Sequence, residues 1–159
     1  MSNKIWEFTG ETKIHLGTTL KRIRASVGFE LKCGVVIGKG ELGGWIEKES
    51  NLSGDAWVYG NAKVYGDALV YGDAEVSGNA EVFDDAEVKS SEDYCVYKNT
   101  WSSLRWFTYT RSNKMWSVGC FHGTGAELIA KAYKDSEKSG KCYEAIVKAQ
   151  EAIEKEMEV

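Results

Sequence analysis

No stretch of this 159-residue chain approaches the roughly 20 consecutive apolar residues that a membrane-spanning helix needs. Met1 is not followed by a signal peptide, so a cytoplasmic protein with reduced thiols is expected. No CxxC pair occurs among Cys33, Cys95, Cys120 and Cys142, a spacing that argues against a zinc site. Proline is absent altogether, so turn chemistry falls to glycine, aspartate and asparagine. Histidine occurs twice, as His15 and His122, and residues 94–122 contain no acid at all. What is present is 17 glycines, six tryptophans and 43% hydrophobic residues, enough to build a core and exclude wholesale disorder. The length suits one compact unit or two small ones and leaves no room for a large catalytic scaffold.

Residues 54 to 89 read GDAWVY-GNAKVY-GDALVY-GDAEVS-GNAEVF-DDAEVK. Each hexad carries Ala third (Ala56, Ala62, Ala68, Ala74, Ala80, Ala86) and Val fifth (Val58, Val64, Val70, Val76, Val82, Val88). Ile46 and Leu52 hold the Val phase upstream, and Ser50 holds the Ala phase. Alternation within a hexad puts Ala and Val on one face, which is strand periodicity. The Gly-Asp and Gly-Asn steps are turn chemistry. An antiparallel meander fails on register. In a two-residue hairpin the residues flanking the loop share a face, so each turn would swap the faces of the Ala/Val set. A parallel β-solenoid keeps that set inward along the whole path.

These hexads resemble the hexapeptide-repeat family, whose fold is the left-handed parallel β-helix of trimeric acyltransferases. The resemblance implies the left-handed sense, three strands per 18-residue coil, two coils over residues 54–89 and a further one beginning in residues 41–53. The chain departs from the family pattern at Tyr59, Tyr65, Tyr71 and Phe83, where a small or acidic residue is usual after the inward aliphatic. These rings are either covered or form an oligomer interface. A β-helix of two to three coils buries little by itself, so a homo-oligomer, specifically a trimer, is expected. The segment GGWIEKESNLSGDAWVYGNAKVYGDA, with LKRIRA before it, is similar to small phage and prophage proteins over about residues 18 to 89. KMWSVGCFHGTGAELIAKAYKDSEKSG resembles C-terminal regions of such proteins. That likeness implies viral origin and action in the cytoplasm of a bacterial host, and names no activity.

The chain is expected to be mainly β, with three parts: an N-terminal β segment over 1–40, the hexapeptide-repeat β-helix over 41–93, and a C-terminal ββαα cap over 94–159. Lys4–Phe8, Lys13–Gly17 and Thr19–Ser26 read as short strands, and the glycine-rich run Leu31–Gly44 as a flexible approach closing at Trp45, a lid on the first coil. Tyr94–Lys98 precedes a hairpin turning at Asn113. Thr124 with Glu127 forms a capping box that opens a helix over Gly125–Ser136. A second helix over Lys141–Met157 carries Tyr143, Ile146, Val147, Gln150, Ile153 and Met157 on one face. A cap has a physical purpose, because an open coil end offers unpaired strand edges.

Acyl transfer in this family uses a histidine on the coils, and none lies in the hexads. Cys120 beside His122 invites a thiol nucleophile, but alternation puts Cys120 and Phe121 on opposite faces and no orienting acid is identifiable. The row Asp55, Asp67, Asp73 and Asp85 falls at corners, where ligands would not converge on calcium. No metal or cofactor is therefore expected. Charge is more informative. Residues 54–89 carry eight acids against two lysines, a net of −6, whereas residues 94–122 carry a net of +4. The basic stretch interleaves its cations with aromatic rings, the composition that stacks on bases and neutralises phosphates. Trp101, Arg105, Trp106, Tyr109, Arg111, Trp116 and His122 are the candidate ligand- or partner-binding residues, with packing against the helices as the rival role. The leading functional expectation is a non-catalytic, phage-derived binding protein that evades host immunity, by binding a host protein or sequestering a nucleotide signal. The alternatives are a structural or virion-associated oligomerisation module and a diverged acyltransferase.

Overall fold

The structure, a computed structural model, describes residues 4–158; it is mainly β, with two helices at the C-terminal end. In chain order the strands are β1 (Trp6–His15), β2 (Thr18–Ala25), β3 (Phe29–Glu30), β4 (Val36–Ile37) and β5 (Leu42–Ile46). Six two-residue strands follow, one per hexad: β6 (Trp57–Val58), β7 (Lys63–Val64), β8 (Leu69–Val70), β9 (Glu75–Val76), β10 (Glu81–Val82) and β11 (Glu87–Val88). The last part comprises β12 (Tyr94–Lys98), β13 (Trp106–Thr110), β14 (Met115–Val118), β15 (Phe121–Gly123), α1 (Gly125–Asp135) and α2 (Glu137–Met157).

The hexads stack in parallel, each on the one three further along. Val58 aligns with Val76, Val64 with Val82 and Val70 with Val88. Ile46 and Leu52 extend two of these columns onto Val64 and Val70. All six Ala and all six Val side chains are fully buried, because alternation within each short strand sends both inward. Backbone bonds tie the coils, as from Trp57 N to the Ala74 carbonyl (2.9 Å) and from Tyr65 N to the Val82 carbonyl (3.0 Å).

The N-terminal segment is built into this wall. β5 pairs in parallel with β7, and β2 and β1 add antiparallel strands, giving a sheet of order β1-β2-β5-β7-β10. The two strands expected at Lys4–Phe8 and Lys13–Gly17 are one strand, bulged between Phe8 and Thr12. The glycine-rich run is not a flexible approach. It holds β4, which pairs with β3, and then β5, where a Cβ on Gly44 would sit 2.7 Å from the Ala62 carbonyl. Glycine is what lets this strand pass so close over the first coil. Trp45 is not a lid on the tube. It lies outside it, in a cluster with Leu20 and Tyr65, while Ile46 points in. Trp6, Ile23, Leu31 and Ile37 join the inner core instead.

At the other end a four-stranded antiparallel sheet, order β12-β13-β14-β15, lies between the last coil and the helices, two strands more than the ββαα cap expected from the sequence. Alternation divides its faces. Phe107, Tyr109 and Trp116 pack on Leu128, Ala132, Tyr143 and Val147 of the helices. Tyr94 and Thr108 face the coils. Thr124 caps α1 through the Glu127 amide, and α2 starts at Glu137, four residues before the position expected, because Ser136 caps it. Ile153 and Met157 of the expected apolar stripe stay exposed, whereas Gln150 and Glu154 are buried. Among the described residues, no helix is long and apolar enough to cross a membrane.

Candidate functional site

Asn99 organises the loop between β12 and β13. It is buried, its amide oxygen accepts from the backbone N–H groups of Trp101 (3.1 Å) and Ser102 (2.9 Å), and its own N–H donates to the Arg105 carbonyl (2.9 Å). Its side-chain NH2 reaches the Tyr143 hydroxyl (3.2 Å), which pins the loop to α2. The closed loop delivers Arg105 to a pocket of about 400 Å³ whose other walls are the β14–β15 turn and the corner between α1 and α2. Lys131 and Asp135 come from α1, Ser136 and Ser139 from the helix junction, and Val118, Phe121 and Leu128 give an apolar floor. Arg105 reaches across the turn, its Nη1 lying 2.7 Å from where a Gly119 Cβ would be. Among the described residues neither Arg105 nor Lys131 has an ion-pair partner, whereas Lys4, Arg22, Arg24 and Lys32 of the N-terminal segment do. Burial pushes the Tyr143 hydroxyl pKa up, so it stays a neutral donor and acceptor at the pocket wall.

The sequence-derived candidates do not form one site. Tyr109 and Trp116 are buried packing residues, and the Tyr109 hydroxyl donates to buried Glu154 (2.6 Å). Burial, with the Glu154 carboxylate beside it, raises the Tyr109 pKa. Trp101 is half-buried, edge-on to Tyr143 at 4.9 Å, and its indole N–H donates to Ser139 (3.3 Å). Trp106 is 45% exposed and carries the Lys98 ammonium 5.3 Å from its ring centre. Arg111 lies at the far end of β13 from Arg105, about 20 Å along a strand by residue count, so the two cannot share a small ligand. Only Arg105 of the seven lines the pocket. Lys131, Asn99 and the hydroxyls beside it were missed because no local spacing links a β12–β13 loop to a helix corner some thirty residues on.

No protein-family model, curated protein or solved structure matches the chain.

Two of the four outer rings expected at an oligomer interface pack on each other within the chain. Tyr65 is 4% exposed and stacks on Phe83 at 4.5 Å, between the tip of the β1–β2 hairpin and β15. Both rings are thus engaged within one chain, and Phe83, like Tyr59 and Tyr71, is half-buried on the wall. The two histidines converge on this column from opposite ends of the sequence. His15 meets Tyr65 edge-on at 5.6 Å and lies 3.0 Å from Glu81, while His122 meets Phe83 edge-on at 4.8 Å. All four cysteines are free thiols. Burial raises the Cys95 pKa, which favours its neutral thiol. Among the described residues no group of three or more His, Cys, Asp or Glu side chains gathers as a metal site.

Proposed function

We propose that the chain is a binding protein that holds a small anionic ligand, of the phosphate or nucleotide class, in the pocket between the Asn99–Arg105 loop and the α1–α2 corner. One observation carries this reading: Arg105 and Lys131 line a single pocket without a carboxylate partner among the described residues. Two unneutralised cations facing a concave, hydroxyl-lined space attract phosphate oxygens, and guanidinium matches them bidentately. Asp135 is the only acid in the lining, so the pocket keeps positive charge. No histidine lines it, which favours retention of the ligand over turnover. On this reading a phage-derived chain sequesters a nucleotide signal of its bacterial host. The left-handed sense of the coil and a trimer, built through Tyr59 and Tyr71, belong to the same proposal.

Calorimetric titration with inorganic phosphate, mononucleotides and cyclic dinucleotides tests it. Micromolar binding of one of these should weaken at least tenfold in both Arg105→Ala and Lys131→Ala, with circular dichroism unchanged. Binding that is absent for all three classes, or indifferent to both substitutions, would overturn the reading. The structural-module alternative has its own support in the half-exposed Tyr59 and Tyr71, and sedimentation at micromolar concentration separates a trimer from a 17.7 kDa monomer.

A further inference from the structure

The coil-facing hydroxyls of the C-terminal sheet have a common occupation. Thr108 accepts from the Glu81 amide (2.9 Å) and Tyr94 from the Ser77 amide (3.2 Å). Ser117, on the same face of β14, holds no amide of the coil. Its Oγ lies 3.0 Å from His122 Nδ1, and His122 Nε2 lies 3.3 Å from Asp84 Oδ2. Because a carboxylate can only accept, a neutral His122 ring carries its proton on Nε2 and presents the Nδ1 lone pair to the serine hydroxyl. Asp84 occupies a corner where the other hexads carry glycine: its φ is 62°, against 65° to 69° at Gly54, Gly60, Gly66, Gly72 and Gly78. A side chain is kept there in a conformation that favours its absence, and that side chain reaches the histidine. Ser117 and His122 line a cleft of about 370 Å³ whose apolar walls are Leu16, Tyr65 and Phe83. The turn residues Gly119 and Cys120 line it too, and their backbone N–H groups make no hydrogen bond among the described residues.

We propose that Ser117, His122 and Asp84 form a hydrolytic site for short-chain carboxylic esters, separate from the anion pocket. Ser117 Oγ attacks the ester carbonyl carbon as its proton passes to His122 Nδ1. The carbonyl electron pair moves onto oxygen, where the free N–H groups of the turn stabilise it. Collapse breaks the carbon–oxygen bond to the alkoxide, which takes the proton from Nδ1 and leaves as an alcohol. Water then gives its proton to Nδ1 and its hydroxide to the acyl carbon. The Ser117 oxygen leaves with that proton, and a carboxylic acid is released. Asp84 acts as a positioning residue, fixing the imidazole tautomer from the other side.

The experiment uses p-nitrophenyl butyrate for turnover and a fluorophosphonate for covalent labelling, on the full chain. Wild type should label at Ser117, located by peptide mass, and hydrolyse the ester well above the buffer rate. Ser117→Ala should abolish both. Asp84→Gly restores the residue the corner favours, so its melting temperature should hold or rise while kcat falls about 100-fold or more at unchanged KM. Absence of labelling and turnover in folded wild type overturns the proposal, as does turnover that survives Ser117→Ala. Asp84→Gly retaining wild-type kcat removes Asp84 from the mechanism and with it the three-residue site. Phosphate or nucleotide binding in Ser117→Ala should match wild type, so the two pockets stand or fall independently.

Discussion

At the residue scale, the corner glycines are not equivalent, and the reason lies one coil further on. All adopt left-handed backbone, which costs an ordinary L residue roughly 1–2 kcal/mol. A Cβ at Gly54 would additionally meet the Gly72 carbonyl at 3.0 Å, and one at Gly72 the Lys89 carbonyl at 3.0 Å, because these corners point at backbone of the next turn of the chain. At Gly78 no atom lies within 4 Å. The last coil therefore tolerates side chains at its corners, which is how Asp84 is accommodated. Gly72→Ala should lose about 2–4 kcal/mol in urea denaturation, and Gly78→Ala only the backbone cost of about 1–2 kcal/mol. Equal losses would mean that coil stacking plays no part. The inward columns make a harsher test: Val70→Asp puts an unpaired carboxylate into a sealed core and should leave no cooperatively folding protein. The hexad pattern made Val70 and its neighbours legible, since burial there follows from period alone. Asp84 was legible only as an irregular hexad, because its partner His122 is remote in sequence.

At the element scale, the coil stack ends in a specific way. Downward-facing backbone groups of the last coil have no further coil to meet, and hydroxyl and carboxylate side chains of the following segments take its place. Ser91 accepts from Glu75 N (3.1 Å), Ser112 from Glu87 N (2.8 Å) and Asp93 from Lys89 N (2.9 Å). The Tyr94 hydroxyl works in both senses, accepting from Ser77 N and donating to the Glu75 carbonyl (2.9 Å). A hydroxyl can mimic the alternating donors and acceptors of a missing strand, which closes the edge to aggregation. Tyr94→Phe keeps the ring against the core but leaves the Ser77 amide without its partner and the Glu75 carbonyl with only the Ser91 hydroxyl, so it should cost about 1–3 kcal/mol by urea denaturation with the strand content retained. A cost below about 0.5 kcal/mol would show that water replaces the hydroxyl there. A cap was expected from the sequence because an open end is untenable. Its chemistry was hidden, since Thr108 and the turn residue Ser112 bond residues about 25 positions away and the segment that carries them reads as an ordinary aromatic hairpin.

At the scale of the whole molecule, the outer aromatic column is a seam joining three parts of the chain. His15 from the hairpin tip, Tyr65 and Phe83 from the wall, and His122 from β15 lie ring against ring. The seam explains why the rings at these corners are aromatic, a feature whose cause the sequence left open between a covered and a shared surface. It also makes the fold sensitive to acid. Burial holds the His15 pKa below its ordinary value of 6.5, more than the neighbouring Glu81 carboxylate raises it, and Lys63 and Lys13 push the same way as burial. Folded protein therefore binds fewer protons at this site than unfolded protein. Its contribution to stability is complete above pH 6.5 and declines as the pH falls below that value towards the lower folded pKa. Urea midpoints should accordingly drop between pH 7.5 and pH 5.5. His15→Gln, which cannot take up a proton, should show a smaller drop over the same interval, because the groups titrating with carboxylates lie mostly below it. If both proteins lose stability in parallel, the His15 imidazole contributes nothing to the acid sensitivity, and the pull of Glu81 offsets burial. A larger drop in His15→Gln than in wild type would mean that the ion pair with Glu81 outweighs burial and the shift runs the other way.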